Sequence, residues 1–185
     1  MEVKDMIFRH FGSPAFNKEL FIPVSGIREG CAIDFKPSYG GLWGSPVGEE
    51  FCTWEESSLN TSKDTSESGF FDFKLSDDAK VCHISSLLDV KKEFSKYRIT
   101  ENNCKDYYDI TFDPLCFKTY IDILKVLKDF DAIVFTPNED DKLFLYGRGE
   151  HEILKDEFLD GCFGLFRYWL CDTVLVGSSE IVIPV

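Results

Sequence analysis

Apolar residues occur in this chain only as short runs, and this pattern strongly limits the folds it can adopt. No run has the roughly 18 apolar residues of a membrane-spanning helix. Two segments have helical spacing, and they lie among many short strand-like runs without regular alternation of strand and helix. That order favours an α+β fold. We expect a single domain over residues 1–185, with a polar loop at about residues 57–69.

Strands are predicted where short apolar or alternating runs end at turn residues. The clearest is residues 70–75, where apolar and polar residues alternate as in a half-buried strand, and residues 80–84 can form its neighbour. The predicted strands are residues 5–11, 20–24, 70–75, 80–84, 132–135, 143–146, 173–176 and 181–183.

The two helices are predicted from their capping residues. A helix over about residues 87–97 has Ser85 or Ser86 as its N-cap. A longer helix over residues 113–129 has Asp113 as its N-cap, followed by a proline in the first helical position. Because its apolar residues recur at helical spacing, we expect one buried face on this second helix.

The charge of the chain restricts its partners. A net charge of −13 repels nucleic acids and anionic membranes over most of the surface, so either partner needs a local basic patch. One such patch contains Lys91, Lys92, Lys96 and Arg98 together with two aromatic residues, and it could seat RNA or DNA by phosphate contact and stacking. The alternative is the solvated face of an amphipathic helix with Phe94 buried.

The cysteines predict neither disulfides nor a metal site. The seven cysteines include no Cys-x-x-Cys pair and no cluster with histidine at metal-ligand spacing. Reduced, mostly buried thiols are typical of an intracellular protein. The apolar run near the N-terminus is too short for a signal peptide, so the cytoplasm is the expected location.

The first candidate site residues follow the N-terminal strand. His10 can hydrogen-bond ribose hydroxyls, and Arg9 can bind a phosphate through two parallel hydrogen bonds. Gly12 and Ser13 come next, and such small residues let the backbone approach a ligand closely. The first 50 residues are the least acidic part of the chain, so an anionic ligand is expected there. The alternative is a histidine with a purely structural role.

A glycine-rich aromatic segment supplies the second group of candidates. Residues 35–46 contain three glycines, including Gly41, around Tyr39 and Trp43, and Ser45 follows. Aromatic faces here can stack on a flat ring, while the backbone N–H groups stay within reach of a ligand. The alternative is a Gly/Pro turn that carries a core tryptophan.

Two acidic residues are candidates for catalysis because each precedes an aliphatic strand. Glu180 precedes residues 181–183, and Asp172 precedes residues 173–176. A carboxylate at such a position can stabilise positive charge on a sugar carbon when a glycosidic bond breaks. Glu180 is preferred, although both could contribute, and the alternative for Glu180 is a surface residue beside a terminal strand.

These motifs together resemble the ADP-ribosyltransferases. Residues 178–184 look like the family's closing motif of a glutamate before an aliphatic strand, residues 8–10 look like its first motif, and residues 41–46 stand where its middle strand occurs. Segments 130–133 and 169–176 are also similar to family members. The resemblance implies two packed, mostly antiparallel sheets flanked by helices, with NAD as substrate in the cleft between them.

The resemblance also implies roles for single residues. His10 would hold the adenosine-side ribose, Trp43 and Tyr39 would stack near nicotinamide, Ser45 would support the site, and Glu180 would drive cleavage of the nicotinamide bond. Arginine-modifying members carry an acidic or amide residue two positions before that glutamate, where this chain has a serine. A nucleobase, another side chain or water is therefore the expected acceptor.

The biological role expected from the resemblance is a small toxin, for example in phage defence, with an antitoxin or inhibitor protein as partner. Two other functions are compatible with the sequence. One is a non-catalytic acidic interaction protein that imitates nucleic acid through its negative charge. The other is an NAD glycohydrolase, which needs the same cleft but no surface for an acceptor.

Overall fold

The computed structural model describes residues 2–24, 40–48, 69–99, 120–147, 154–163, 165, 166, 169 and 171–185. The strands are β1 (Phe8–Phe11), β2 (Leu42–Pro46), β3 (Phe70–Leu75), β4 (Val81–Ile84), β5 (Arg98–Ile99), β6 (Tyr120–Ile121), β7 (Ala132–Phe135), β8 (Thr173–Val176) and β9 (Val182–Pro184). The α-helices are α1 (Leu87–Phe94), α2 (Ile123–Asp129), α3 (Glu139–Leu145) and α4 (Glu157–Asp160). Short 3-10 helices cover Val3–Asp5, Lys18–Leu20, Ser95–Tyr97 and Ser179–Ile181.

Seven of the strands form one mixed sheet in the order β4-β7-β8-β2-β1-β3-β9. The β4–β7 pair is parallel, and the other pairs of this sheet are antiparallel. Strands β5 and β6 form a separate two-stranded ribbon. The α+β class is thus confirmed, but the described residues form one continuous main sheet where the resemblance implied two packed sheets.

The sheet has an apolar cluster on each face because successive side chains of a strand point to opposite sides. One cluster joins Ile133 and Leu175 of the sheet to Val90 and Val126 of helices α1 and α2. The other joins Phe8, Phe73 and Val134 to residues near the N-terminus. Strands β7 and β8 are buried throughout and contribute to both clusters. They therefore form the buried centre of the sheet.

Two predicted helices are present, with one shorter than expected. Ser86 caps α1 by accepting a hydrogen bond from the backbone N–H of Asp89, as predicted. The second helix begins at Ile123, since Asp122 is its N-cap and the preceding residues Tyr120–Ile121 form a strand. The predicted start at Asp113 lies outside the described residues.

Two predicted strands and one predicted strand pairing were wrong. Residues 143–146 lie in and just after helix α3, because Asn138 caps the helix and starts it ahead of this apolar run. Residues 20–24 are not a strand; Leu20 ends the 3-10 helix Lys18–Leu20, which begins where Asn17 Oδ1 accepts a hydrogen bond from the N–H of Glu19. Residues 80–84 do contain β4, but β4 pairs with β7 and not with β3.

None of the helices in the described parts of the chain combines the length and the apolar character needed to cross a membrane. The longest α-helix there, α1, has eight residues.

Candidate ligand-binding pocket

A pocket of about 260 Å³ opens on the sheet where strands β1, β2 and β8 lie side by side. Its lining residues are Arg9, His10, Phe11, Gly12, Trp43, Gly44, Ser45, Trp169, Cys171 and Thr173. Five of them, Arg9, His10, Gly12, Trp43 and Ser45, are candidates from the sequence. The fold therefore brings the first two candidate segments into one cavity.

Strand register explains why these segments meet. Arg9 of β1 pairs with Ser45 of β2, and Trp43 of β2 pairs with Leu175 of β8. Because residues two apart on a strand share a face, Trp43 and Ser45 point to the same side of β2. Gly44 between them leaves room for the opposite face, where a Cβ atom would lie 2.9 Å from the Phe73 ring.

The His10 ring is fixed by a hydrogen bond to the neighbouring strand. Its Nδ1 atom lies 2.7 Å from the carbonyl oxygen of Trp43, and its ring centroid is 5.2 Å from that of Phe71. A carbonyl oxygen can only accept, so Nδ1 carries the proton and donates it. In the neutral ring, Nε2 is then a hydrogen-bond acceptor.

Arg9 leans away from β2 towards β3. Its Nε and Nη2 atoms donate to the two carboxylate oxygens of Asp72 at 2.8 and 2.9 Å. The guanidinium carbon also lies 4.0 Å from the centroid of the Phe70 ring. These contacts use the two-pronged face of the guanidinium that was expected to bind a phosphate, and the Asp72 carboxylate offsets its positive charge at the β3 side of the pocket.

Two tryptophans form an aromatic wall. The rings of Trp43 and Trp169 meet edge to face with centroids 5.1 Å apart. Trp169 is buried and also packs against Phe135 and Phe166, which belong to the apolar cluster between the sheet and helices α1 and α2. The core thus fixes the wall, and a flat ligand ring can contact it with little loss of side-chain entropy.

The floor of the pocket is polar and buried. Ser45 Oγ lies 3.5 Å from Cys171 Sγ, which lies 3.4 Å from Thr173 Oγ1. Thr173 Oγ1 donates to the backbone carbonyl of Cys171 at 3.0 Å. Sequence reasoning did not name five of the lining residues as site residues: Phe11, Gly44, Trp169, Cys171 and Thr173. The available signals were that the last three lie in the segment 169–176 that resembles family members, and that Cys171 and Thr173 flank the candidate acid Asp172.

Asp172 itself is buried in an ion pair. It is 1% exposed, and its Oδ2 atom accepts a hydrogen bond from Lys142 Nζ at 3.2 Å. Lys142 also donates to Glu139 at 2.8 Å. Burial lowers the pKa of Lys142, but the carboxylates of Glu139 and Asp172 outweigh it and raise this pKa above its usual value. The pair therefore links α3 to the start of β8, beside the pocket floor.

Glu180 lies at the other end of the sheet from His10. It belongs to the 3-10 helix Ser179–Ile181, its side chain is 72% exposed, and it accepts a hydrogen bond from Lys18 Nζ at 2.5 Å. Ser76, just after β3, donates its N–H to Ile181, whereas His10 pairs with Phe71 near the start of β3. The structure does not bring Glu180 to the pocket.

The remaining small candidates have structural contacts. Gly41 has a positive φ of 72° and donates its N–H to the carbonyl of Ile22 at 2.7 Å, so it shapes the entry to β2. Ser13 is half-buried, and its hydroxyl donates to the carbonyl of Ala15 at 2.8 Å. Tyr39 lies outside the described residues.

The candidate basic patch is paired with acids. Lys91 contacts Asp156, Lys92 Nζ lies 2.8 Å from Glu93, and Lys96 Nζ lies 3.5 Å from Asp129. The guanidinium carbon of Arg98 lies 6.0 Å from the Phe158 ring centroid, and Phe94 is fully buried. These contacts match the arrangement of an amphipathic helix with a solvated face and reduce the net positive charge offered to a nucleic acid.

Among the described residues, no group of three or more His, Cys, Asp or Glu side chains could hold a metal ion. Comparison of the chain with protein-family models, curated proteins and solved structures found no match.

Proposed function

We propose that the pocket binds NAD and that the protein is an ADP-ribosyltransferase, which cleaves the bond between nicotinamide and ribose and transfers ADP-ribose to a macromolecular acceptor. The observation that carries this proposal is the convergence of His10, Trp43 and Ser45 in one pocket. Trp43 and Ser45 lie more than 30 residues after His10 in the sequence, and the pairing of β1 with β2 and the hydrogen bond from His10 to the Trp43 carbonyl bring them together.

The residue types around the pocket fit one half of a dinucleotide. The tryptophan wall suits a flat ring, and the polar floor suits a hydroxyl or amide group. A volume of about 260 Å³ is slightly below the roughly 300–1,000 Å³ typical of pockets for whole ligands. We therefore place one ring and its sugar in the pocket and the rest of the dinucleotide outside it, towards β3.

The choice of the catalytic acid depends on which candidate carboxylate lies nearest the pocket. Within the described ranges, the residues that line the pocket include no Asp or Glu. Asp172 lies between two lining residues, whereas Glu180 lies at the far end of β3. We propose that Asp172 contributes negative charge to the bond-breaking step and that any part played by Glu180 involves binding of the acceptor.

A non-catalytic role is the second candidate. It is favoured by the absence of a carboxylate among the described lining residues and by the net charge of −13, which suits an acidic interaction protein. Such a protein would bind a ligand in the pocket without cleaving it. An antitoxin or inhibitor protein and a nucleic-acid acceptor belong to the first candidate and stay predictions.

The test is to incubate the protein with NAD labelled on the adenylate and to measure both nicotinamide release and label transfer to protein, RNA and DNA. Asp172→Asn and Glu180→Gln are compared with Glu157→Gln, which changes an exposed glutamate of α4. Release with transfer supports the transferase, and release without transfer indicates a glycohydrolase. Binding without release supports the non-catalytic protein, and the absence of binding contradicts the use of NAD.

A further inference from the structure

The indole N–H of Trp169 is a buried hydrogen-bond donor without an acceptor. Trp169 lines the pocket and is 3% exposed, and its Nε1 atom has no hydrogen-bond partner among the described residues. Buried polar groups in proteins are nearly always hydrogen-bonded, and a buried tryptophan usually finds a partner for its N–H. An unpaired donor on a residue that lines a pocket therefore points to a ligand that supplies the acceptor.

The core around Trp169 offers this N–H only aromatic rings. The Trp169 ring packs against those of Trp43, Phe135 and Phe166, with centroids 5.1, 5.9 and 5.0 Å away. The face of an aromatic ring accepts an N–H only weakly, because it has no lone pair to present. The pocket beside Trp169, by contrast, has room for a ligand atom that carries one.

The charges around the pocket favour a neutral acceptor over an anion. Arg9 is the permanently charged residue among the described residues that line the pocket, and its guanidinium already makes two hydrogen bonds to the Asp72 carboxylate. Burial of an anion beside a neutral indole would cost more free energy than burial of a carbonyl group. A carbonyl on a flat ring also suits the tryptophan wall, because the ring contacts the aromatic faces while its oxygen accepts from Nε1.

We infer that the pocket recognises a flat ring bearing a neutral carbonyl group, and that Trp169 determines this specificity by donating its indole N–H to the carbonyl oxygen. Since Nε1 is already buried and unpaired, formation of this bond removes water from the ligand oxygen alone. The inference rests on the proposed function, in which the carboxamide of the nicotinamide ring supplies the carbonyl.

Three small pyridines of similar shape test the preference. Nicotinamide and 3-acetylpyridine both carry the carbonyl oxygen, whereas 3-isopropenylpyridine has a CH2 group in its place. We expect the two carbonyl compounds to bind the full-length protein at least about fivefold more tightly than the alkene, as for one hydrogen bond to a buried donor. Chemical-shift titration gives the dissociation constants, and equal affinities for the ketone and the alkene would overturn the inference.

The indole N–H itself gives a direct signal. The chain has three tryptophans, so a 15N–1H spectrum should contain three indole peaks. The Trp169 peak is assigned by its loss in Trp169→Phe, or by elimination with Trp43→Phe and Trp54→Phe. We expect its proton to move downfield with nicotinamide and with 3-acetylpyridine but not with the alkene. A peak that stays in place while the carbonyl compounds bind would show that the N–H does not contact them.

Trp169→Phe removes the N–H and keeps an aromatic ring, so the ratio of ketone to alkene affinity should fall to about one. Phe166→Leu is the matched control, because it removes a ring that packs on Trp169 and leaves the N–H in place. Both affinities should change together in this control, and their ratio should stay as in wild type. A wild-type ratio in Trp169→Phe, or an equal loss of the ratio in both variants, would overturn the role of the N–H.

The failure of this inference and the failure of the proposed function are distinguishable. If nicotinamide binds and moves the Trp169 peak but NAD does not bind, the pocket recognises a carbonyl and the proposed function is wrong. If NAD binds and is cleaved while the Trp169 peak stays in place, the proposed function stands and the inference is wrong. If neither NAD nor the pyridines bind, both are wrong.

Discussion

His10 and Glu180 lie beside opposite ends of the same strand, β3. His10 pairs with Phe71, and the 3-10 helix of Glu180 is bonded to Ser76. At about 3.3 Å per residue, these two positions on β3 are roughly 16 Å apart. Two motifs that look like parts of one site in the sequence are therefore separated by the length of the strand, and only His10 of the two residues lines the pocket.

Replacing Lys18 with Met should change the stability of the protein little. Its ion pair with Glu180 is exposed, with 55% and 72% of the two side chains accessible, so water screens the attraction. We expect the free energy of unfolding to fall by less than about 1 kcal/mol. Urea denaturation checks this value, and a much larger loss would show that the pair anchors the 3-10 helix of Glu180.

Replacing Trp43 with Ala should weaken ligand binding at least tenfold, because the aromatic wall loses one of its two rings. Titration of NAD and nicotinamide against the variant measures the loss. Leu88→Ala is a useful comparison, since Leu88 lies on α1, is 72% exposed and is not among the residues that line the pocket. Equal losses for the two variants would argue against a specific role for Trp43.

The elements that could be predicted from the sequence are those fixed by local patterns. Strand β3 follows from alternation, and helix α1 follows from its serine N-cap. The strand predicted over residues 143–146 was wrong because a short apolar run does not distinguish a strand from a helix. The N-cap Asn138, five residues before this run, begins a helix that includes most of it.

The candidate site was predictable only in its local parts. His10 could be found because Gly12 and Ser13 follow it at the end of an apolar run, and Trp43 could be found because it lies in the glycine-rich segment 35–46. Trp169, Cys171 and Thr173 reach the pocket through the pairing of β2 with β8, and a register of that kind depends on contacts far apart in sequence. The placement of Glu180 depends in the same way on the pairing of β3 with β9.

Replacing Lys142 with Met should destabilise the protein by about 3 kcal/mol. The side chains of Lys142 and Asp172 are 9% and 2% exposed, so loss of the lysine leaves a buried carboxylate without this cation. The double variant Lys142→Met, Asp172→Asn should recover part of the loss, because the buried charge is removed as well. Denaturant unfolding of Lys142→Met, Asp172→Asn and the double variant measures the coupling energy. If the losses in unfolding free energy of the two single variants add up to that of the double variant, a direct interaction is contradicted.

His83 should make stability depend on pH. Burial lowers its pKa below the ordinary value of 6.5, so the folded protein favours the neutral ring. The unfolded chain then binds more protons below about pH 6.5, and this contribution to stability is full above that pH and is lost as the pH falls. Replacing His83 with Gln should make the difference between the unfolding free energies at pH 7.5 and pH 5.5 smaller than in wild type. An unchanged difference would contradict the role of His83.

Cys82 should resist alkylation in the folded protein. Burial raises the pKa of its thiol to about 12, and the nearby Glu93 carboxylate acts in the same direction. Since the thiolate is the reactive form, iodoacetamide at pH 8 should label Cys82 only after unfolding, and the side chain is 1% exposed in any case. Mass spectrometry of peptides labelled with and without urea measures the protection. Both the raised pKa and the burial of Cys82 disfavour alkylation while β4 is in place. Rapid labelling of the native protein would therefore mean that β4 opens readily.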